Sequence, residues 1–348
     1  MTLLLGITFF NQIFLNKNEG SNFVKKIISV LILILLVIAG CAKLNEPTAK
    51  AQILTLEYLY PSEGYAMDTF VTDEYVYIAE DQAGFSIHDR NADTLITRFY
   101  GDIENARLIQ AVEEDSTLFV YDVYGSPAAI MVYDIRDYNN PQTKPNITGQ
   151  TGGIEDFTCY LSASGETQVI WTHENKIRYG TYNDIWMGSF SYNLPNAVKG
   201  FDYDSTYYYI AGDERGVYVL DRETGEFVAN IDTPGKARSV KLHNNFLYIV
   251  AREAGLQVID VSDPQEPILV YQYDTSGYAQ GIDAYGNYLA VASGGGGIYL
   301  FDIYNPARPE YKDRIDNQII GYTYDVVVKG TTLFVATRFG VYRIFIQY

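Results

Sequence analysis

Histidine, cysteine and cationic side chains are scarce in this 348-residue chain. Its three histidines, His88, His173 and His243, stand at unrelated positions, and none has a metal-ligand spacing such as His-Glu-x-x-His. No Gly-x-Ser-x-Gly elbow marks a hydrolase nucleophile. Lysine and arginine number 25 against 43 acidic residues, a net charge of −18, which repels phosphate backbones and excludes a nucleic-acid partner. Helical periodicity is essentially absent beyond the first forty residues. What the chain has in quantity is aromatic: 32 tyrosines and 17 phenylalanines, side chains that suit a pleated sheet.

The stretch KKIISVLILILLVIAGCAK, Lys25–Lys43, sets two lysines before an apolar run from Ile27 to Gly40. At ~1.5 Å per residue the run makes roughly 21 Å of helix, short of the about 30 Å bilayer core. It fits the apolar region of a secretory signal better than a membrane span. Ile38-Ala39-Gly40-Cys41 resembles the lipobox of bacterial lipoproteins. That resemblance implies cleavage before Cys41 and acylation of its thiol and new amino terminus. The expected organisation is a signal region over residues 1–40, a lipidated Cys41 with a polar tether over 41–52, and one domain over 53–348. Residues 1–23 precede a signal that already has its own basic region, and read as an over-long start. The mature chain then carries close to −20, because residues 1–40 hold three lysines and one glutamate. With Cys41 acylated, Cys159 has no partner for an intrachain disulfide. The expected setting is extracytoplasmic and membrane-anchored: the outer membrane or cell surface, if the cell has two membranes.

Self-similarity decides the fold. GYAMDTFVTDEYVYIAEDQAGFSIHD from Gly64 is matched by GYAQGIDAYGNYLAVASGGGGIYLFD from Gly277, and again from Asn196 and Gly235. Each reads as a strand, a polar turn, a second strand, a turn bearing glycine, and a third strand closing on aspartate. An alanine before the first strand recurs at Ala66, Ala106, Ala197, Ala237 and Ala279, with Thr323 last, at gaps of 40, 91, 40, 42 and 44. The gap of 91 holds two periods, so a degenerate copy occupies Gly152–Tyr182. A fourth strand-like run follows the aspartate, as in PILVYQYD after Asp260. Four strands per ~40 residues describe a propeller blade. The final copy stops at its third strand, while Ile53–Tyr60 is an orphan strand ahead of the first. Their pairing predicts an all-β, seven-bladed propeller closed by its own N-terminal strand.

LQVIDVSDPQEPILV (Leu256–Val270) resembles the LVIVD repeat of secreted and surface-anchored bacterial propellers. IYLFDIYNPARPE (Ile298–Glu310) is a second, slightly divergent copy, and looser ones surround Asp134 and Asp221. The resemblance implies a propeller and an extracytoplasmic setting; it implies no particular activity. The aspartates closing third strands, Asp89, Asp134, Asp221, Asp260 and Asp302, recur in blade after blade. They read as turn formers that bind backbone amides, and the Ser262-Asp263-Pro264 turn reads likewise.

Function in a propeller gathers where the repeat is broken, at the loops leading into first strands and joining second to third strands. The residues leading into first strands include Asp68, Arg107, Glu155, Lys199, Arg238, Gln280, Tyr324 and Asp325, which are expected to crowd the channel mouth as a polar-ligand or peptide site. A solvated rim of surface ion pairs, each worth at most ~1 kcal/mol, is the competing reading. Tyr65, Tyr278 and Tyr322 are either packing or a collar for sugars and peptides. Adjacent carboxylates at Glu155 and Asp156 are expected on opposite faces of their strand. Ser293–Gly297 lacks the helix that a phosphate loop needs and reads as a hairpin turn.

No residue is assigned a catalytic or metal-binding role, and no cofactor is implied. A structural Ca2+ would suit the acidity, but no EF-hand-like loop supports one. The expected function is a non-catalytic binding or scaffold module for an envelope protein or polysaccharide. The alternatives are a hydrolase or lyase acting on an envelope carbohydrate or peptide in the channel, and a subunit of an envelope assembly complex.

Overall fold

Four strings, YVYIA, YYYIA, FLYIV and YLAVA, form the second strands Tyr75–Ala79, Tyr207–Ala211, Phe246–Val250 and Tyr288–Ala292. In each, one half-buried residue precedes four buried ones. The third strands Phe85–Asp89, Val217–Asp221, Leu256–Asp260 and Ile298–Asp302 are buried for four residues and end on a half-buried aspartate. Such runs do not alternate because neighbouring sheets cover both faces of a middle strand. First strands border the channel and fourth strands form the outer rim, and there polar residues return.

The computed structural model describes residues 52–125, 128–149 and 151–347. Lys25–Cys41, and with them the expected lipobox and cleavage point, lie outside the described residues. Ile53–Tyr348 forms one unit of seven four-stranded antiparallel sheets. Blades 1 to 6 span residues 68–99, 106–147, 154–193, 201–231, 239–273 and 281–315; blade 7 joins 323–346 to the strand Leu54–Pro61. Among the described residues the helical pieces are a 3-10 turn at Glu113–Asp115 and one turn at Asn317–Ile320. No helix among them is long and apolar enough to cross a membrane.

Closure follows the expected route. Leu54–Pro61 pairs antiparallel with Gly340–Ile346, from Leu54 opposite Ile346 to Pro61 opposite Gly340. Arg343 reinforces the seam, its Nη1 and Nη2 meeting Asp93 Oδ1 at 2.6 Å and Oδ2 at 2.8 Å, while Tyr60 donates to the same carboxylate at 3.0 Å. Asp313 of blade 6 accepts the backbone N–H groups of Ile53 (2.7 Å) and Leu54 (2.8 Å), pinning the first residues of the strand.

The recurring aspartates do the turn work that their repetition suggests. Asp89, Asp134, Asp221, Asp260 and Asp302 each accept a backbone N–H from two residues further on, at 2.8–3.0 Å. The turns between second and third strands share another device. Asp81, Asp213, Arg252 and Gly294, all at positive φ, form single bridges to Ala106, Ala237, Ala279 and Thr323 of the following blade. Gly294 thus places Ser293–Gly297 among the ordinary turns between second and third strands, each bridged once to the following blade.

One alignment differs from the sequence reading. Val198, not Ala197, takes the position equivalent to Ala237, since its N–H donates to Glu174 O as that of Ala237 donates to Asp213 O. The degenerate third blade shifts the frame by one residue there, and the following Lys199 keeps its expected place.

Candidate functional site

Innermost strands of successive blades lie side by side around the axis, and carboxylates stitch them together. Asp68 Oδ2 accepts Ile109 N–H at 2.8 Å, joining blade 1 to blade 2. Asp156 Oδ2 accepts Phe201 N–H at 3.1 Å, Asp202 Oδ2 accepts Leu242 N–H at 2.8 Å, and Asp283 Oδ2 accepts Val328 N–H at 2.8 Å. Tyr121 bridges blades 2 and 3 by accepting the N–H groups of Gly153 and Ile154. Lys241 joins blades 5 and 6 through Asp283 at 2.8 Å. Asp325 closes the ring by hydrogen-bonding Asp68.

Above these stitches lies a cavity of about 350 Å3. Asp68, Arg107, Glu155, Arg238, Gln280, Tyr324 and Asp325 all line it, so the inner strands bring together seven of the eight residues expected at the mouth. Lys199 stands behind the wall, its Nζ bonded to Glu155 Oε1. Glu155 Oε2 accepts Arg238 Nη1 at 2.7 Å, so one carboxylate gathers cations from two other blades. Burial alone would raise the Glu155 carboxyl, but Arg238 and Lys199 outweigh it and hold it below the usual range.

The expectation that Glu155 and Asp156 face opposite ways is corrected. Both line the cavity, because a β-bulge between Ile154 and Asp156 inserts Glu155 as an extra residue in its strand. The same irregularity between Ala106 and Leu108, and between Thr323 and Asp325, presents Arg107 and Tyr324. Blades 4, 5 and 6 contribute small residues at the next level: Gly200, Ser239 and Gly281. A Cβ on Gly281 would stand 2.9 Å from Asp325 Cα, so only glycine lets blades 6 and 7 approach this closely. Two residues deeper come Asp202, Lys241 and Asp283, which sequence reasoning did not single out. The signal was present in the two-residue period of a strand, which returns every second side chain to the channel.

Burial dominates the titration of the channel carboxyls. It raises Asp68, lifts Asp325 well above the ordinary range with help from the Asp68 charge, and brings Asp156 to about 7. Asp68 already accepts the N–H groups of Thr69 and Ile109, so within the hydrogen-bonded pair it is the acceptor and Asp325 the donor. Deeper down, burial raises Asp202, with Lys241 offsetting part of the shift. Burial works against the Lys241 charge, but Asp283 and Asp202 prevail and keep its ammonium protonated.

An aromatic wall flanks the acid pair. Tyr65 and Tyr324 stack with centroids 6.2 Å apart, and Tyr322 lies 5.1 Å from Tyr324. Tyr278 is half exposed and Tyr322 hydroxyl accepts Gln280 Nε2 at 3.0 Å. Of the second-to-third loops, Asp81 meets Asn105 and stands 3.9 Å from Arg107, whereas Glu80 is buried against Arg98 at 3.0 Å and belongs to the blade interior. His88 is buried against Ser86, His173 approaches Glu174, and His243 lies on the inner strand of blade 5, so the three do not meet. Cys159 is buried and unpaired, and burial pushes its thiol well up. Among the described residues no group of three or more His, Cys, Asp or Glu has metal-holding geometry.

The family model of the LVIVD repeat matches residues 63–89, 234–275 and 276–317, which fall in blades 1, 5 and 6. No curated protein matches the sequence. The crystal structure of the computationally designed Ika8 protein is similar at a TM-score of 0.58 and 10% identity, over 83% of this chain and 98% of that one. At that identity the likeness concerns the fold alone. The chain is a seven-bladed β-propeller that carries LVIVD repeats.

Proposed function

We propose that this protein is a lipid-anchored, extracytoplasmic binding module that engages a cell-envelope protein or glycan at the channel mouth. The observation that carries the reading is the convergence of Arg107, Glu155, Arg238, Gln280, Tyr324 and the Asp68–Asp325 pair on one cavity, drawn from six different blades. A solvated rim would scatter such residues, whereas here charged, amide and aromatic groups meet at one opening. The anchor rests on Ile38-Ala39-Gly40-Cys41.

The test is a quantitative crosslinking pull-down of the full chain from its native envelope, with Cys41→Ala as control. A discrete partner recovered near one-to-one, and lost on changing Arg107 and Arg238 to Glu, is the expected result. Equal recovery by that double variant would remove the mouth from the account. Labelled palmitate should enter the wild type and not Cys41→Ala; incorporation into the variant would remove the anchor.

The raised carboxyls favour a second reading, a hydrolase or lyase acting on an envelope carbohydrate or peptide, since acid–base catalysis needs such groups in a cleft. Against it stands their bonding: Asp68 accepts Thr69 and Ile109 N–H groups and Asp156 accepts Phe201 N–H, so each is occupied in joining strands. Release of reducing ends or new amino termini from envelope material, abolished by Asp156→Asn, would establish the enzyme.

A further inference from the structure

We propose that the channel mouth binds a carboxylate-bearing sugar residue, with Arg107 taking the carboxylate and the Tyr65–Tyr324 wall taking the ring. The inference deepens the binding reading above and rests on it.

The hydrogen-bonding groups around the cavity suit an anion. Asp68 and Glu155, two of the cavity's carboxylates, are already engaged by the protein. Asp68 receives Thr69 N–H at 2.9 Å, Ile109 N–H at 2.8 Å and the Asp325 hydroxyl. Both Glu155 oxygens are taken, one by Lys199 and one by Arg238. The donors are engaged differently. Arg107 Nε donates to Asn105 Oδ1 at 2.8 Å, and Asn105 is itself fixed by Asp122 through its N–H at 3.0 Å and by Asp81 through its side-chain amide. That grip holds the guanidinium by one edge. Among the described residues neither terminal nitrogen of Arg107 has a hydrogen-bond partner, and the side chain, 39% exposed, lines the cavity.

A guanidinium fork with both outer N–H groups free matches a carboxylate in two parallel hydrogen bonds. The chain's −18 charge does not forbid this, because repulsion from distant surface carboxylates is screened over about 8 Å at physiological ionic strength. The rest of the wall suits a pyranose. Tyr324 lines the cavity, and Tyr65, half exposed and nearly parallel to it at 24°, extends that aromatic surface outward from the mouth. Gln280 donates to Tyr322 and to Thr323 O, which leaves its side-chain oxygen as an acceptor for a sugar hydroxyl.

The experiment titrates the full chain with a hexuronic-acid trisaccharide, with the same trisaccharide reduced to its neutral alcohol, and with an N-acetylated acidic dipeptide. The acidic sugar should bind about tenfold tighter than the neutral one or more. Arg107→Gln should erase that preference, Arg107→Lys should keep part of it, and Tyr65→Ala should weaken both sugars while leaving the preference intact. An unchanged thermal midpoint in Arg107→Gln shows that the variant is folded. A preference that survives Arg107→Gln overturns the assignment, as does equal affinity for the two sugars. Dipeptide binding as tight as the acidic sugar overturns the sugar part. If no probe binds at millimolar concentration, the inference fails; the pull-down with the Arg107 and Arg238 variants then decides whether the binding module fails with it.

Discussion

Asp68 on the first inner strand and Asp325 on the last share a hydrogen bond across the junction that closes the ring. Blade 7 thus meets blade 1 through an acid pair in the channel as well as through the N-terminal strand at the rim. Asp325 carries the proton, so Asp325→Asn keeps a donor toward Asp68 and removes a titrating group. Its thermal midpoint at pH 8 should equal or exceed that of the wild type. Asp68→Asn leaves three donors facing one acceptor oxygen and should cost about 1–3 kcal/mol. Denaturant melts of both variants check the pair, and the reverse order of stability would refute the proton assignment.

Stability should depend on pH in a direction opposite to that of a salt-bridged carboxylate. The Asp156 carboxyl sits at about 7 in the folded chain against 3.8 ordinarily, so the native state binds the proton more tightly than the unfolded one. Its contribution is most favourable below about pH 4 and is lost as the pH rises toward 7, by roughly 4 kcal/mol. Asp156→Asn should flatten the fall in stability between pH 4 and 7 and leave the protein more stable than the wild type at pH 8. Guanidinium melts at half-unit pH steps measure this, and parallel profiles for the two proteins would contradict it.

The rim seam makes a separate claim. Arg343 holds Asp93 of blade 1 by two charged hydrogen bonds from the last strand. Arg343→Met should cost about 2–3 kcal/mol, because the half-buried Asp93 loses its cation. In hydrogen exchange, amides of Leu54–Pro61 and Gly340–Ile346 should lose protection ahead of those in blades 3 to 5. Uniform loss across all blades would mean that the seam is not the weakest junction.

Two glycines separate close packing from open space. Gly281→Ala drives a Cβ against Asp325 Cα and should destabilise by about 1–3 kcal/mol. Gly295→Ala meets nothing within 4 Å and should be neutral. Thermal melts compare them, and equal midpoints would show that blades 6 and 7 yield easily.

The blade count, the closing strand and the ring of mouth residues were legible because each depends on local order repeated along the chain. Tyr75–Ala79 and Tyr288–Ala292 read alike since both are covered on two faces, and Gly340–Ile346 needed a partner that only Leu54–Pro61 supplied. The chemistry of the cavity was less legible because it depends on irregularities. A bulge before Asp156 turned two residues expected on opposite faces into neighbours. The gathering of Lys199 and Arg238 on Glu155, and the channel layer of Asp202, Lys241 and Asp283, join residues whose distance is set by the ring and not by spacing in sequence.

The most direct test of the channel mouth as the binding site places a photo-crosslinking phenylalanine at Tyr324 and, separately, at Tyr304. Tyr324 lines the cavity; Tyr304, 82% exposed, lies at a third-to-fourth turn on the opposite side of the ring. With the native envelope as the source of ligand, irradiation of the full chain should yield a defined adduct at position 324 and none at 304. An adduct at 304 with none at 324, or equal labelling of both, would contradict the account.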